Sequence, residues 1–402
     1  MARGVITRVA DVLDVTWRQA TRWRARRQVL TGSGDIPGGD IGRKNKGGAD
    51  VVEVARRIGG LHAQVPSCGV QMAAVRGAAP ASVEEALRDR TLVRTWSVRG
   101  TLHLLPADEL GTWWGALTAR EGRRRFPPSW ERAHGVTPAQ LHAITDAVGE
   151  VLGAEPLGRI ELADRIQAHL GDPTVTEALS TGWGQLLKPA AARGLLCFGP
   201  TDGTRSTFVS PAGWLGRTIP RVDAVEADRA LLLRFLGANG PATLADVAHW
   251  WGEQPAPARA RLRANADALV AVRVEGEDGF VVAADDAEEL AGTDGGADAA
   301  DPPLLLPGFD VWTIAPRSHR RRALPEGTEK HVSRTAGWIS PVLVDDGRIV
   351  ATWEHEVRGD TLTVTLSPLG AGPLPDVAEA ARAWAATLGT GDVVIGTGPS
   401  LA

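Results

Sequence analysis

Asn239-Gly240-Pro241-Ala242-Thr243-Leu244-Ala245-Asp246-Val247-Ala248-His249-Trp250-Trp251 is the stretch that decides how this chain folds. Apolar residues at helical spacing over 227–236 precede it, and Gly-Pro stops them, because proline lacks an amide hydrogen and its ring clashes with the preceding turn. Thr243 then caps a second helix through Trp251, with Asp246 three residues on, the spacing of an N-terminal cap. A third helical stretch is expected over 257–270. Two alternating segments follow, 271–274 and 280–283, around Gly276-Glu277-Asp278-Gly279, which reads as a hairpin. Three helices and then a hairpin is the order of a winged helix.

The same order recurs upstream. Thr137-Pro138-Ala139-Gln140 is a capping box with proline at the first helical position, opening a helix to Leu152. Segments 162–170 and 184–193 supply two more helices, and 195–198 and 207–210 flank the turn Thr201-Asp202-Gly203-Thr204. A first copy has a helix over 51–58, a capping box at Ser82-Val83-Glu84-Glu85, and an extended run over 95–105. Beyond Pro303 the pattern changes. Asp345-Asp346-Gly347-Arg348 is a hairpin turn between 339–344 and 349–353, with a strand over 361–367 and a helix over 377–388. The expected class is α+β. Three tandem winged-helix units span 1–125 (with N-terminal helices), 126–222 and 223–290, and a mixed β domain spans 303–402. Gly-rich 31–49 and acidic 291–303 read as flexible connectors.

At 402 residues the chain is long enough for several domains. Its 43% hydrophobic and 23% charged residues are an ordinary globular balance. No run of about 18 apolar residues exists to span a membrane, and the first residues mix charge among apolar positions, so a cytoplasmic protein is expected. Cys68 and Cys197 lack metal-ligand spacing; neither a metal nor an organic cofactor is expected. The net charge of −4 does not advertise nucleic acid, but base is clustered: Arg22, Arg24, Arg26, Arg27; Arg120, Arg123, Arg124, Arg125; Arg317, Arg320, Arg321, Arg322. Such clusters suit phosphates. A GC-rich genome would produce the same preference for arginine over lysine, so charge alone does not decide which clusters meet DNA. The fourteen tryptophans are expected in cores, with at least one ring of Trp113-Trp114 and of Trp250-Trp251 turned inward, and carry no assigned stacking role.

Two runs hold chemistry. Thr95-Trp96-Ser97-Val98-Arg99-Gly100-Thr101-Leu102-His103-Leu104 alternates strictly. As one strand it would turn Trp96, Val98, Leu102 and Leu104 to a core, and Thr95, Ser97, Arg99, Thr101 and His103 to a polar cleft. In Gly59-Gly60-Leu61-His62-Ala63-Gln64-Val65-Pro66, the glycines can stop a helix and Pro66 disfavours helix at Val65. The residues between are expected to be extended, with His62 and Gln64 pointing the same way.

These two runs, with Leu304-Leu305-Leu306-Pro307-Gly308-Phe309-Asp310 and Gly347-Arg348-Ile349-Val350-Ala351-Thr352-Trp353, resemble the AlkZ/YcaQ winged-helix DNA glycosylases over about residues 20–400. The resemblance implies tandem winged helices around a DNA channel and removal of N7-alkylguanine, in several members as protection of an antibiotic producer. It places the catalytic pair at His62 and Gln64. This is nearest the AlkZ branch, where Gln-x-Gln is usual and a His variant is known, including in a hedamycin-type resistance enzyme.

The residue types suit that chemistry. N7-alkylguanine leaves as a neutral base, so the enzyme must place a water and stabilise an oxocarbenium-like sugar. A neutral imidazole at His62 can accept from that water, and Gln64 can orient it. No lysine lies near the motif in sequence, which disfavours a Schiff base. Arg99, Thr101, His103, Arg205, Arg320 and Arg321 are the candidate DNA contacts, with Arg205 beside the second wing turn. The expected partner is double-stranded DNA bearing N7-alkylpurine adducts, with no membrane, and the protein acts as a monomer. The alternatives are a non-enzymatic winged-helix regulator, against which three fused modules argue, and a protein that only sequesters the alkylating agent.

Overall fold

The computed structural model describes residues 12–30, 49–293 and 301–401. Most of the two connectors expected from composition, 31–49 and 291–303, lies outside the described residues. The chain divides into two compact units, Val83–Leu231 and the paired segments Met1–Ser82 and Leu232–Ala402. No described helix is long and apolar enough to cross a membrane.

In the paired segments, the decisive stretch folds much as its residues dictate. The helix Ala224–Asn239 is followed by the strand Ala242–Thr243 and the helix Leu244–Trp251. Thr243 accepts from the Asp246 amide, and Asp246 reaches back to the Thr243 amide at 3.0 Å. Trp250 and Trp251 are both buried. The third helix, Pro255–Ala264, is shorter than its composition suggests, and Asn265 closes it with its side chain on the Arg261 carbonyl. Strands Leu269–Val274 and Glu277–Ala283 form the hairpin. Ala242–Thr243 pairs antiparallel with one edge of it, and Leu13–Val15 pairs parallel with the other. Val15, Trp17, Trp23, Val272, Val274, Phe280 and Val282 make its core.

The C-terminal sheet has the order Leu304–Leu306, Val342–Asp345, Arg348–Arg358, Thr361–Pro368, Asp392–Thr397. Its turn at Asp346 and Gly347 is left-handed at both residues (φ 42° and 75°), as a two-residue hairpin requires. Alternation sorts the side chains by face. Leu306, Val342, Val344 and Ile349 pack with Trp312, while Leu305, Leu343, Ala351, Trp353 and Val364 pack with Trp384 of the helix Ala378–Leu388.

In Val83–Leu231, the sheet order is Leu102–Pro106, Leu92–Trp96, Cys197–Phe198, Thr207–Val209, Leu157–Gly158. The helices Pro138–Val151, Arg159–Leu170, Thr174–Leu186 and Lys188–Ala192 cover it. The Thr137–Gln140 capping box forms as expected. Three expectations need correction. The helix placed at 184–193 is two helices that meet at Leu187, because Pro189 suits the first turn of a helix and not its middle. Ser82 is no cap: Pro80, whose φ is preset for a first turn, starts the helix Pro80–Arg88, and the Ser82 hydroxyl donates to Ala79 O.

The third correction concerns the polar run over 95–104, which is not one strand. Leu92–Trp96 and Leu102–Pro106 pair antiparallel, with Thr95 opposite His103. Val98–Gly100 is a tight turn in which Arg99 (φ 55°) and Gly100 (φ 66°) are both left-handed. Polar and apolar residues keep alternating through the turn, so the pattern conceals it.

The helix Leu110–Gly122 allows close crossing of backbone. A Cβ on Gly111 would lie 2.1 Å from Pro220 O, and one on Gly115 would lie 2.4 Å from Val222 O and 2.9 Å from Ala227 Cβ. The Val222 amide donates to Gly111 O at 3.1 Å. Gly115→Ala is therefore expected to destabilise the protein by about 1–3 kcal/mol. The check is a lower urea midpoint at unchanged m-value.

Candidate active site

Site assembly begins with the helix Val51–Ile58, which buries Val51, Val54, Ala55 and Ile58 and is capped by Asp50 on the Val52 amide. Gly59 (φ 77°) and Gly60 (φ 105°) end it, and the Gly60 amide donates to Ala55 O at 2.7 Å. Pro66 opens the next helix, Pro66–Ala74. Between these stops Leu61 and His62 are extended, as the glycines and proline suggest. Leu61 is fully buried, His62 is 4% exposed, and Gln64 is exposed.

The His62 ring lies flat on Phe309, with centroids 4.6 Å apart and planes 4° apart. Phe309 has φ 60°, a conformation that a bulky residue adopts only under constraint. The constraint is its neighbour. Asp310 accepts from Arg76 Nη1 at 2.7 Å and Nη2 at 2.9 Å, and from the Trp312 amide at 2.9 Å. Both side chains are fully buried. Arg76 also donates to Gln28 O and Met72 O, each at 2.9 Å. On the other side of Phe309, a Cβ on Gly308 would stand 3.1 Å from Ile339 O. The Leu304–Asp310 motif thus serves as the bed for His62.

In Val83–Leu231, the hairpin carries a second polar group. Thr95, Ser97 and His103 are buried, and Ser97 Oγ lies 2.8 Å from His103 Nδ1, which is also 3.2 Å from Thr101 O. The Thr101 hydroxyl donates to Val98 O at 3.0 Å. Thr95, Ser97 and His103 do share one side, but through cross-strand pairing. Lys188, distant in sequence, packs against the turn: a Cβ on Gly100 would be 3.3 Å from its Cδ and its Nζ. Burial holds the Lys188 amine below its ordinary pKa; Arg124 and Arg120 push the same way and Glu121 opposes them.

The DNA glycosylase AlkZ-like family matches residues 55–387. The chain belongs to this family. It is a DNA glycosylase, an enzyme that hydrolyses N-glycosidic bonds. A curated relative, the interstrand DNA cross-link repair glycosylase of Streptomyces sahachiroi, is 38% identical over 365 residues, covering 89% of this chain and 92% of its own. The solved structure of Streptomyces sahachiroi DNA glycosylase AlkZ superposes with a TM-score of 0.82 at 33% identity, over 96% of this chain and 100% of that one.

The arginines of this glycosylase divide by use. Arg205 is exposed at the tip of its hairpin, where the Asp202 and Arg205 backbones pair at 2.9 and 3.0 Å. Arg99 is half-buried in its turn, and Arg321 is exposed on the helix Arg317–Ala323. Arg320 is a correction. Its side chain is 3% exposed and donates to Thr313 O, Ile314 O and Glu329, because it sits one position round the helix from Arg321 and faces inward. Arg24 is likewise buried, over the Trp312 ring and bonded to the Trp312 carbonyl. Cys68 and Cys197 are buried thiols, pushed up to about 11 and about 12 by desolvation. Sequence reasoning missed Arg76 and the stacking of Phe309 on His62. The Leu304–Asp310 motif held Phe309 and Asp310 but gave no sign of their partners, which are remote in sequence.

Two outcomes follow. Asp310→Ala leaves the Arg76 charge buried and uncompensated and is expected to cost about 3–5 kcal/mol, measured by chemical denaturation. Arg320→Ala should lower stability while leaving the salt dependence of DNA binding unchanged, whereas loss of an exposed phosphate contact would reduce that slope by about one.

Proposed function

We propose that this glycosylase is monofunctional and removes N7-alkylguanine from double-stranded DNA, above all bulky adducts of an alkylating antibiotic, in base excision repair and self-resistance. The observation that carries it is His62, locked flat on Phe309 within an extended segment that ends in exposed Gln64. In its neutral form the imidazole accepts from the attacking water, and Gln64 orients that water without itself gaining or losing a proton. The base leaves from a cationic nucleoside as a neutral molecule, so no acid is needed. The oxocarbenium-like sugar then collects the water.

The helix-and-hairpin modules act as winged helices that bind DNA. Arg99, Arg205 and Arg321 contact DNA, while Thr101 and His103 hold the hairpin that presents Arg99. One chain carries all three modules, which supports a monomer; its DNA substrate supports work in the cytoplasm. The relative named for interstrand cross-link repair makes cross-linked guanine the second substrate to try.

A duplex carrying one N7-alkylguanine should yield an alkali-labile abasic site with wild-type protein. His62→Ala/Gln64→Ala should slow release by about 100-fold or more. Full activity in that double variant would sink the site assignment, and no base release from any N7 adduct would favour the regulator. Borohydride should trap no protein–DNA complex; trapping that disappears in Lys188→Ala would make the enzyme a lyase instead.

A further inference from the structure

Tryptophan is used inward in this protein. Trp23, Trp113, Trp251, Trp312 and Trp353 are among its most deeply buried side chains. Among the described residues, Trp338 is the one aromatic side chain in the set of exposed large hydrophobic groups, at 43%. Its backbone is held firmly. The Arg334 amide donates to Trp338 O at 2.8 Å, the Trp338 amide to Thr335 O at 3.3 Å, and Ser333 bridges Ile339. The turn between has Ala336 at φ 58° and Gly337 at φ 76°. The next residue, Ile339, packs into a small core with Cys68 and Phe309.

The indole meets Phe309 edge-to-face, with centroids 5.0 Å apart and planes 76° apart. Phe309 is the ring on which His62 lies. His62, Phe309 and Trp338 therefore form one row of rings from the buried imidazole to the surface. We propose that Trp338, backed by Phe309, is a stacking site for a flat aromatic group carried on the N7 of the damaged guanine. An exposed indole offers a large apolar face with little conformational entropy to lose, and aromatic rings recognise one another by stacking or edge contacts. Arg334, exposed at the start of the same turn, adds a cation beside it. A methyl group on N7 is too small to use such a surface. The site would therefore select among lesions and leave the hydrolytic step alone. This inference rests on the N7-alkylguanine reading above.

The test uses the full-length protein and two duplexes with 2′-fluoro-stabilised nucleosides, one bearing N7-methylguanine and one bearing N7-naphthylmethylguanine. Equilibrium binding and single-turnover release from the matching unfluorinated adducts are both measured. Trp338→Ala is expected to lose about tenfold in affinity, and in release at sub-saturating but not at saturating protein, for the naphthylmethyl duplex, with the methyl duplex unchanged. Trp338→Phe should restore most of the loss. Equal losses on both duplexes, or none on either, would overturn the stacking site. Naphthylmethyl-selective binding that depends on Trp338, without base release by the wild type, would support the site while refuting the glycosylase substrate proposed above.

Discussion

Two fully buried charges, Arg76 and Asp310, hold the candidate site together. They lie 234 residues apart in the chain and meet in a bidentate pair. A buried ion pair adds little net stability over a well-packed apolar pair, because both charges lose their water. Its value is geometric. The two carboxylate oxygens are committed to the guanidinium and the Trp312 amide, which leaves the backbone at Asp310 one position to occupy. Phe309 inherits that position, left-handed backbone included. The pair also ties the helix Pro66–Ala74, through Met72 and Arg76, to the start of the C-terminal sheet.

Phe309 turns this fixed backbone into chemistry. A histidine in a two-residue extended segment would ordinarily sample several rotamers. Lying flat on the buried Phe309 ring, His62 is held to one plane, and in the role proposed for it a water acceptor works best when its lone-pair direction is settled before the substrate arrives. Aromatic burial, an ion pair and a strained dihedral act in series on one imidazole. A change in any of them reaches the same atom.

Local signals in the sequence were dependable. Thr243 with Asp246, Thr137 with Gln140, and the Asp346-Gly347 turn are settled by residues three or fewer positions apart, and each forms as its chemistry requires. The stops on either side of His62 were legible for the same reason. Failures arose where one pattern fits two structures. Strict alternation over 95–104 is satisfied by a hairpin as well as by a strand, and only Gly100 hints at the reversal. Arginine runs look alike whether a guanidinium meets solvent, as in Arg321, or backbone carbonyls, as in Arg320. Arg76, Phe309 and Lys188 were invisible because their partners are remote in sequence. Trp338 was hidden because tryptophan is usually core, and here it is the exception.

The inward use of arginine changes how tightly the chain can hold a polyelectrolyte. Arg24, Arg76, Arg261 and Arg320 are buried against carbonyls, carboxylates and rings, so they displace no ions condensed on a duplex. Only phosphates neutralised by surface cations release such ions, and that release sets how steeply binding falls as salt rises. Counted by composition, this is an arginine-rich protein. Counted by what a helix of DNA would feel, it is less so, because these four guanidinium groups are spent inside the fold, while others such as Arg205 and Arg321 stay at the surface.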